Sequence, residues 1–169
     1  MTLALVLVVF PICMAYAAFS DLVSMTIENC VSTLLVVAFL AVAWLIGKPP
    51  IEIAAHVGVA MACLVVTFGM FAAGWMGGGD AKLIAATAIW FGPTADLGTY
   101  AMMASLYGGA LTMALLLARA QMLPVTGIGF VDHLLDRETG VPYGIALGAA
   151  GLTTFSTGSW MGIALALGA

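Results

Sequence analysis

Two aspartates, Asp21 and Asp80, stand at the ends of oily stretches in a chain that carries almost no other charge. A charged side chain at the centre of a bilayer costs about 2.5–3.5 kcal/mol on insertion scales, so an ionisable residue at such a place points to function. Brought together from different helices, two carboxylates can divide peptide hydrolysis between them. One takes a proton from water, while the other, kept protonated, polarises the scissile carbonyl and later protonates the leaving amine. Closely spaced like charges do not both ionise readily, so their surroundings drive the proton affinities apart and supply one base and one acid. This chemistry needs neither a metal nor a cofactor.

Asp80 is embedded in Gly77-Gly78-Gly79-Asp80-Ala81-Lys82. Lacking Cβ atoms, Gly77, Gly78 and Gly79 let an extended substrate backbone, or the helix of Asp21, come close. The same residues also suit an ordinary turn whose aspartate caps the next helix. Lys82 could hydrogen-bond within the site, but two residues along a helix it does not share a face with Asp80. An interfacial anchor with a snorkelling side chain is its simplest role. The segment has neither a G-x-x-x-x-G-K-[ST] loop nor a G-x-G-x-x-G fingerprint, and no βαβ pattern surrounds it, which argues against phosphate binding.

Other residue types offer less. His56 and His133 lack the spacing and carboxylate company of a metal site, so no metal is expected. Cys13, Cys30 and Cys63 form no C-x-x-C pair and read as small buried hydrophobes. No cluster of lysine or arginine is present, which argues against nucleic-acid binding. Trp44, Trp75, Trp90 and Trp160 fall near the ends of oily segments more often than near their centres, as interfacial anchors should.

The elements that must position the acids follow from hydropathy. The 169 residues are 64% hydrophobic and 7% charged, with a mean hydropathy of +1.19. No soluble domain of this size hides that much apolar surface. An all-α polytopic membrane protein is expected, one integral membrane domain over 1–169, with spans near 3–19, 29–47, 53–74, 81–95, 98–118 and 143–167. The first run lacks a basic leader and a clear cleavage site, so it reads as a permanent span. Lys48-Pro49-Pro50 separates the second and third spans, and Gly92-Pro93 ends or kinks the fourth. At about 1.5 Å per residue the fourth reaches only roughly 22 Å, short of a hydrocarbon core of about 30 Å. Either its neighbours shield it or Asp80 is recessed.

Two full spans separate Asp21 from Asp80, so both return to one membrane face, with Asp96 on the other. Lys82, Arg119 and Arg137 share the face of the pair while Lys48 lies opposite, which makes it cytoplasmic and the termini external. In the 119–142 loop, Phe130, Val131, Leu134 and Leu135 recur at helical spacing, predicting a short surface helix. Gly144-x-x-x-Gly148 and Gly158-x-x-x-Gly162 predict close helix approaches.

The segment Gly77-Gly78-Gly79-Asp80-Ala81-Lys82-Leu83, followed by Trp90-Phe91-Gly92-Pro93, resembles the GxGD segment of type IV prepilin peptidases, particularly the short forms of tight-adherence (Flp-type) pili. Asp21, with Ile27 and Asn29 downstream, is similar to their first catalytic segment, which ends in Ile-Pro-Asn. Pro142-Tyr143-Gly144-Ile145-Ala146 resembles the start of their final span. The resemblance implies six transmembrane helices in a GxGD-type aspartic peptidase architecture of the bacterial inner membrane, with Asp21 and Asp80 as the catalytic pair at the cytoplasmic face. The implied reaction removes the basic leader of a prepilin ahead of its hydrophobic segment. Glu28 stands where the family usually has proline. The chain lacks the cysteine-rich insertion of longer members, so no methyltransferase activity is expected. Two other readings of the acids remain: relay groups of a proton-coupled transporter, or remnants in a non-catalytic membrane subunit of a pilus or secretion assembly.

Overall fold

The computed structural model describes residues 2–121, 127–136 and 138–168. Arg137, counted above among the cytoplasmic cations, lies outside them. The described residues form eight helices joined by short connections: α1 (Thr2–Ser24), α2 (Asn29–Leu45), α3 (Pro50–Ala72), α4 (Gly78–Phe91), α5 (Ala95–Gln121), α6 (Gly129–Leu135), α7 (Tyr143–Thr157) and α8 (Ser159–Gly168). The breaks follow local chemistry. Gly47 at φ +71° turns the chain out of α2, and α3 opens with Pro50 in its first position, where a missing N–H leaves no hydrogen bond unmade.

Three helices, α1, α3 and α5, are long and apolar enough to cross a membrane. The outer helices turn large apolar side chains away from the protein, among them Val65, Val66 and Phe68 on α3 and Leu106, Met113 and Leu116 on α5. A surface of this kind suits lipid rather than water. The chain is therefore an all-helical, multi-pass membrane protein, but the expectation of six continuous spans is corrected in that, among the described residues, only these three helices have the length and apolar character of a full span. The helix α2 has 17 residues and reaches about 26 Å. The last expected span is two helices, because Gly158 adopts extended backbone (φ −93°, ψ −170°) and α8 begins anew beyond it. There the Asp96 carboxylate accepts hydrogen bonds from the Ser159 amide and hydroxyl, capping α8 from across the bundle.

Shielding explains the shortness of α4. Every residue from Ala85 to Phe91 is buried, and α2, α3 and α7 pack around it. A helix end inside protein must satisfy its last four carbonyls without water, and here side chains from elsewhere supply most donors. Gly92 N–H donates to the Ala88 carbonyl at 2.8 Å, and His56 Nδ1 to that of Ile89 at 2.7 Å. Trp160 Nε1 donates to the Trp90 carbonyl at 2.6 Å, and Thr94 Oγ1 to that of Phe91 at 2.8 Å. Because a carbonyl only accepts, the His56 contact fixes its Nδ1-protonated tautomer, a structural role. Trp90 and Trp160 are thus core residues in tilted and edge-on contact with each other and with Phe10, Phe39 and Phe155, not the interfacial anchors their sequence positions suggested. Trp44 and Trp75, at 81% and 77% exposure, keep that position.

Consecutive helices from α1 to α5 alternate in direction, so each end of the bundle has its own chemistry. The C-terminal ends of α1, α3 and α5 meet the N-terminal ends of α2, α4 and α7 at one end. The contacts that show this are Gly144 against Asp21, Gly78 against Phe71, Lys82 to Asn29 and Arg119 to Gly140. His56, Gly92, Asp96 and Ser159 mark the other end.

Candidate active site

Asp21 and Asp80 enter this first end from two helices. The sequence places Asp21 beyond the first span, yet α1 continues to Ser24, so Asp21 occupies its last turn and is only 6% exposed. Its carboxylate accepts a hydrogen bond from the Gly144 amide, Oδ2 to N 2.7 Å, at the opening turn of α7. That amide is one of the orphan donors of a helix N-terminus, where a carboxylate is favoured.

The approach requires glycine at 144. A Cβ there would lie 2.7 Å from Asp21 Cβ and 2.9 Å from Oδ2. The seam continues along α7: a Cβ on Gly148 would meet Ala18 at 2.8 Å, and one on Gly151 would meet Met14 at 2.5 Å. Residues 14, 18 and 21 face 151, 148 and 144, so α1 and α7 run antiparallel with almost no side chain between them. The first of the two expected glycine motifs is thus a close approach. The second holds only in part: Gly158 breaks the helix and admits Asp96 of α5, whose Oδ2 would lie 2.8 Å from a Cβ there, but a Cβ on Gly162 would meet nothing within 4 Å.

Asp80 sits in the first turn of α4, with Gly77 as the N-cap residue and Gly78 and Gly79 already helical. The carboxylate folds back over Gly77, at the end of the bundle that also holds Asp21. Each glycine has its own neighbour. A Cβ on Gly77 would be 3.0 Å from Asp80 Oδ2, one on Gly78 would press on the Phe71 ring at 3.3 Å, and one on Gly79 would press on Ile27 at 3.2 Å. The three glycines therefore admit the acid itself, α3, and the segment that follows Asp21.

That segment, residues 25–28, closes one side of the site. Met25 takes φ +53°, unusual for a side chain, and turns the chain sharply after α1. Ser20 Oγ donates to the Thr26 carbonyl at 2.8 Å. Glu28 opens α2 with φ −66°, and its carboxylate accepts from Tyr16 O–H and Cys30 S–H, each at 3.2 Å. Cys30 is therefore exposed, not the buried hydrophobe expected; Cys13 is buried and Cys63 partly so. Lys82 Nζ donates to Asn29 Oδ1 at 2.9 Å, so it is fixed to a neighbouring helix rather than free to snorkel. Arg119, buried at the end of α5, donates to the Leu134 and Gly140 carbonyls at 2.8 and 2.9 Å. It holds α6, the short helix expected in this loop, and the entry to α7.

Sequence reasoning missed Gly144 as a partner of Asp21. The signal was present in Pro142-Tyr143-Gly144, read as the start of a span and as helix packing, but nothing in it names an acid 123 residues away. No group of three or more histidine, cysteine or acidic side chains poised for a metal occurs among the described residues.

The fold is a helical membrane bundle in which two acids from separate helices stand at one end. The chain belongs to the type IV leader peptidase family, whose model matches residues 8–118, well over half of its length and both aspartates. Membership makes it a peptidase. No curated protein and no solved structure matches the chain.

Proposed function

We propose that this protein is a prepilin leader peptidase of the short, Flp-type class, and that Asp21 and Asp80 are its catalytic pair. The observation that carries the reading is that Asp21 in the last turn of α1 and Asp80 in the first turn of α4 lie at the same end of the bundle, where Gly79 of α4 packs on Ile27 of the segment that follows Asp21. One carboxylate removes a proton from water as the water oxygen attacks the scissile carbonyl carbon. The other, protonated, hydrogen-bonds to the developing oxyanion and gives that one proton to the leaving amine as the C–N bond breaks, while the first carboxylate keeps the proton it took from water. Gly144 N–H orients Asp21, and the first turn of α4 orients Asp80.

The substrate follows from position. A peptide bond reaches an acid pair at the end of a bundle when its hydrophobic flank lies in lipid and its polar flank in water, as at the junction of a leader and a membrane helix. Asp132, Asp136 and Glu138 add negative charge at this end, which favours a basic leader. With Lys82 and Arg119 on this end and Lys48 on the other, the positive-inside rule supports a cytoplasmic site in the inner membrane.

The test is co-expression with a candidate prepilin, comparing wild type with Asp21→Asn and Asp80→Asn after checking that each inserts. Either replacement is expected to abolish leader removal at undiminished protein level. Continued cleavage by an inserted variant would refute the pair, and no cleavage by wild type of any prepilin offered would favour a carrier or a non-catalytic subunit.

A further inference from the structure

Lys82 and Asn29 belong to different helices, and among the described residues no hydrogen bond or ion pair joins either to an acid, yet Lys82 shares α4 with Asp80 and Asn29 follows the helix of Asp21. Asn29 is the first residue of α2, after the segment that leaves the Asp21 helix. Lys82 stands two residues beyond Asp80, on another face of α4. Their 2.9 Å hydrogen bond is flanked by Ile27 seated on Gly79 and by the Ser20 bond to Thr26. Residues 25–28 are thereby fastened to the last turn of α1 on one side and to the first turns of α4 on the other. The Lys82 ammonium makes no ion pair among the described residues; its partner is a neutral amide that fixes direction rather than neutralising charge. Holding a lysine stem in place sacrifices much rotamer freedom, which is sustained where packing has already set donor and acceptor in register. The Ile27–Gly79 contact does that here.

Resting on the peptidase reading above, we infer that Lys82 and Asn29 are positioning residues whose hydrogen bond clasps the α1–α2 segment to α4 and sets the spacing of Asp21 and Asp80. Kinetics of leader cleavage in membranes test it. Lys82→Met and Asn29→Ala are each expected to lower kcat about ten- to hundredfold, the scale of an ångström's misplacement, with KM little changed. The double variant should be no slower than the slower single, because both remove one interaction, and Lys82→Arg should recover most of the rate. Independent, multiplying losses, or a raised KM at unchanged kcat, would overturn the clasp.

A substrate-free measurement separates this proposal from the peptidase assignment. With Cys13, Cys30 and Cys63 replaced by alanine, Lys82→Cys with Asn29→Cys should be joined in membranes by a short thiol cross-linker. Failure to join would overturn the clasp. Cleavage persisting in Asp21→Asn or Asp80→Asn would defeat the catalytic assignment while leaving the cross-link as evidence of contact.

Discussion

At the residue scale, Gly144 decides where the Asp21 carboxylate sits. The carboxylate is held by one backbone amide at 2.7 Å, and the space a methyl group would need is taken by Asp21 itself. Gly144→Ala is therefore expected to displace the acid and to slow leader cleavage about ten- to hundredfold. Gly148→Ala is the control, since its Cβ would meet the Met14 carbonyl at 2.7 Å in the same seam, one turn further from the acid. Overpacking of either kind destabilises by roughly 1–3 kcal/mol, so thermal midpoints in detergent should fall alike while cleavage per folded molecule falls far more for Gly144→Ala. Equal losses of activity would show that the amide contact has no special part. The acids were legible in the sequence because charge is rare in this chain and expensive in lipid. The amide was not, because a glycine that admits a carboxylate looks like one that admits a methyl group.

At the element scale, the start of α2 shows how one backbone geometry accommodates two residue types. Glu28 holds φ −66° and ψ 141°, a conformation proline adopts by itself. Its amide donates to no group among the described residues, and Ile27 before it lies outside any helix, as a residue preceding proline should. Glu28→Pro is expected to insert, fold and cleave. A gain of about 0.4–1 kcal/mol from a stiffer unfolded chain opposes the loss of the exposed Tyr16 and Cys30 contacts, so the thermal midpoint should move by no more than about 4 °C. A larger fall would mean that the glutamate side chain, not the backbone, holds the segment. Breaks of this kind were readable from proline and glycine at Lys48-Pro49-Pro50 and Gly92-Pro93. The break at Gly158 was not, because its cause is an aspartate on another helix. Nor was the inward placement of Trp90 and Trp160 readable, since α4 is apolar on all sides and offers no stripe to mark its surroundings.

At the scale of the whole molecule, alternating helix directions give the bundle two ends with opposite uses for the same side chain. Asp21 and Asp80 converge at one end with backbone amides close by, while Asp96 at the other spends its carboxylate on the amide and hydroxyl of Ser159. There it joins the start of α5 to the start of α8, a cap formed between helices distant in the chain. Losing a cap removes about 0.5–2 kcal/mol, so Asp96→Ala is expected to lower the thermal midpoint by a few degrees. Its cleavage rate per folded molecule should match wild type, because no contact of Asp96 reaches the first end. Asp80→Asn should show the reverse, full stability with no cleavage, and measuring both quantities on both variants exposes the division. Abolished cleavage in a folded Asp96→Ala protein would place an acid needed for function at the far end, and the separation of a reactive end from a structural end would fall.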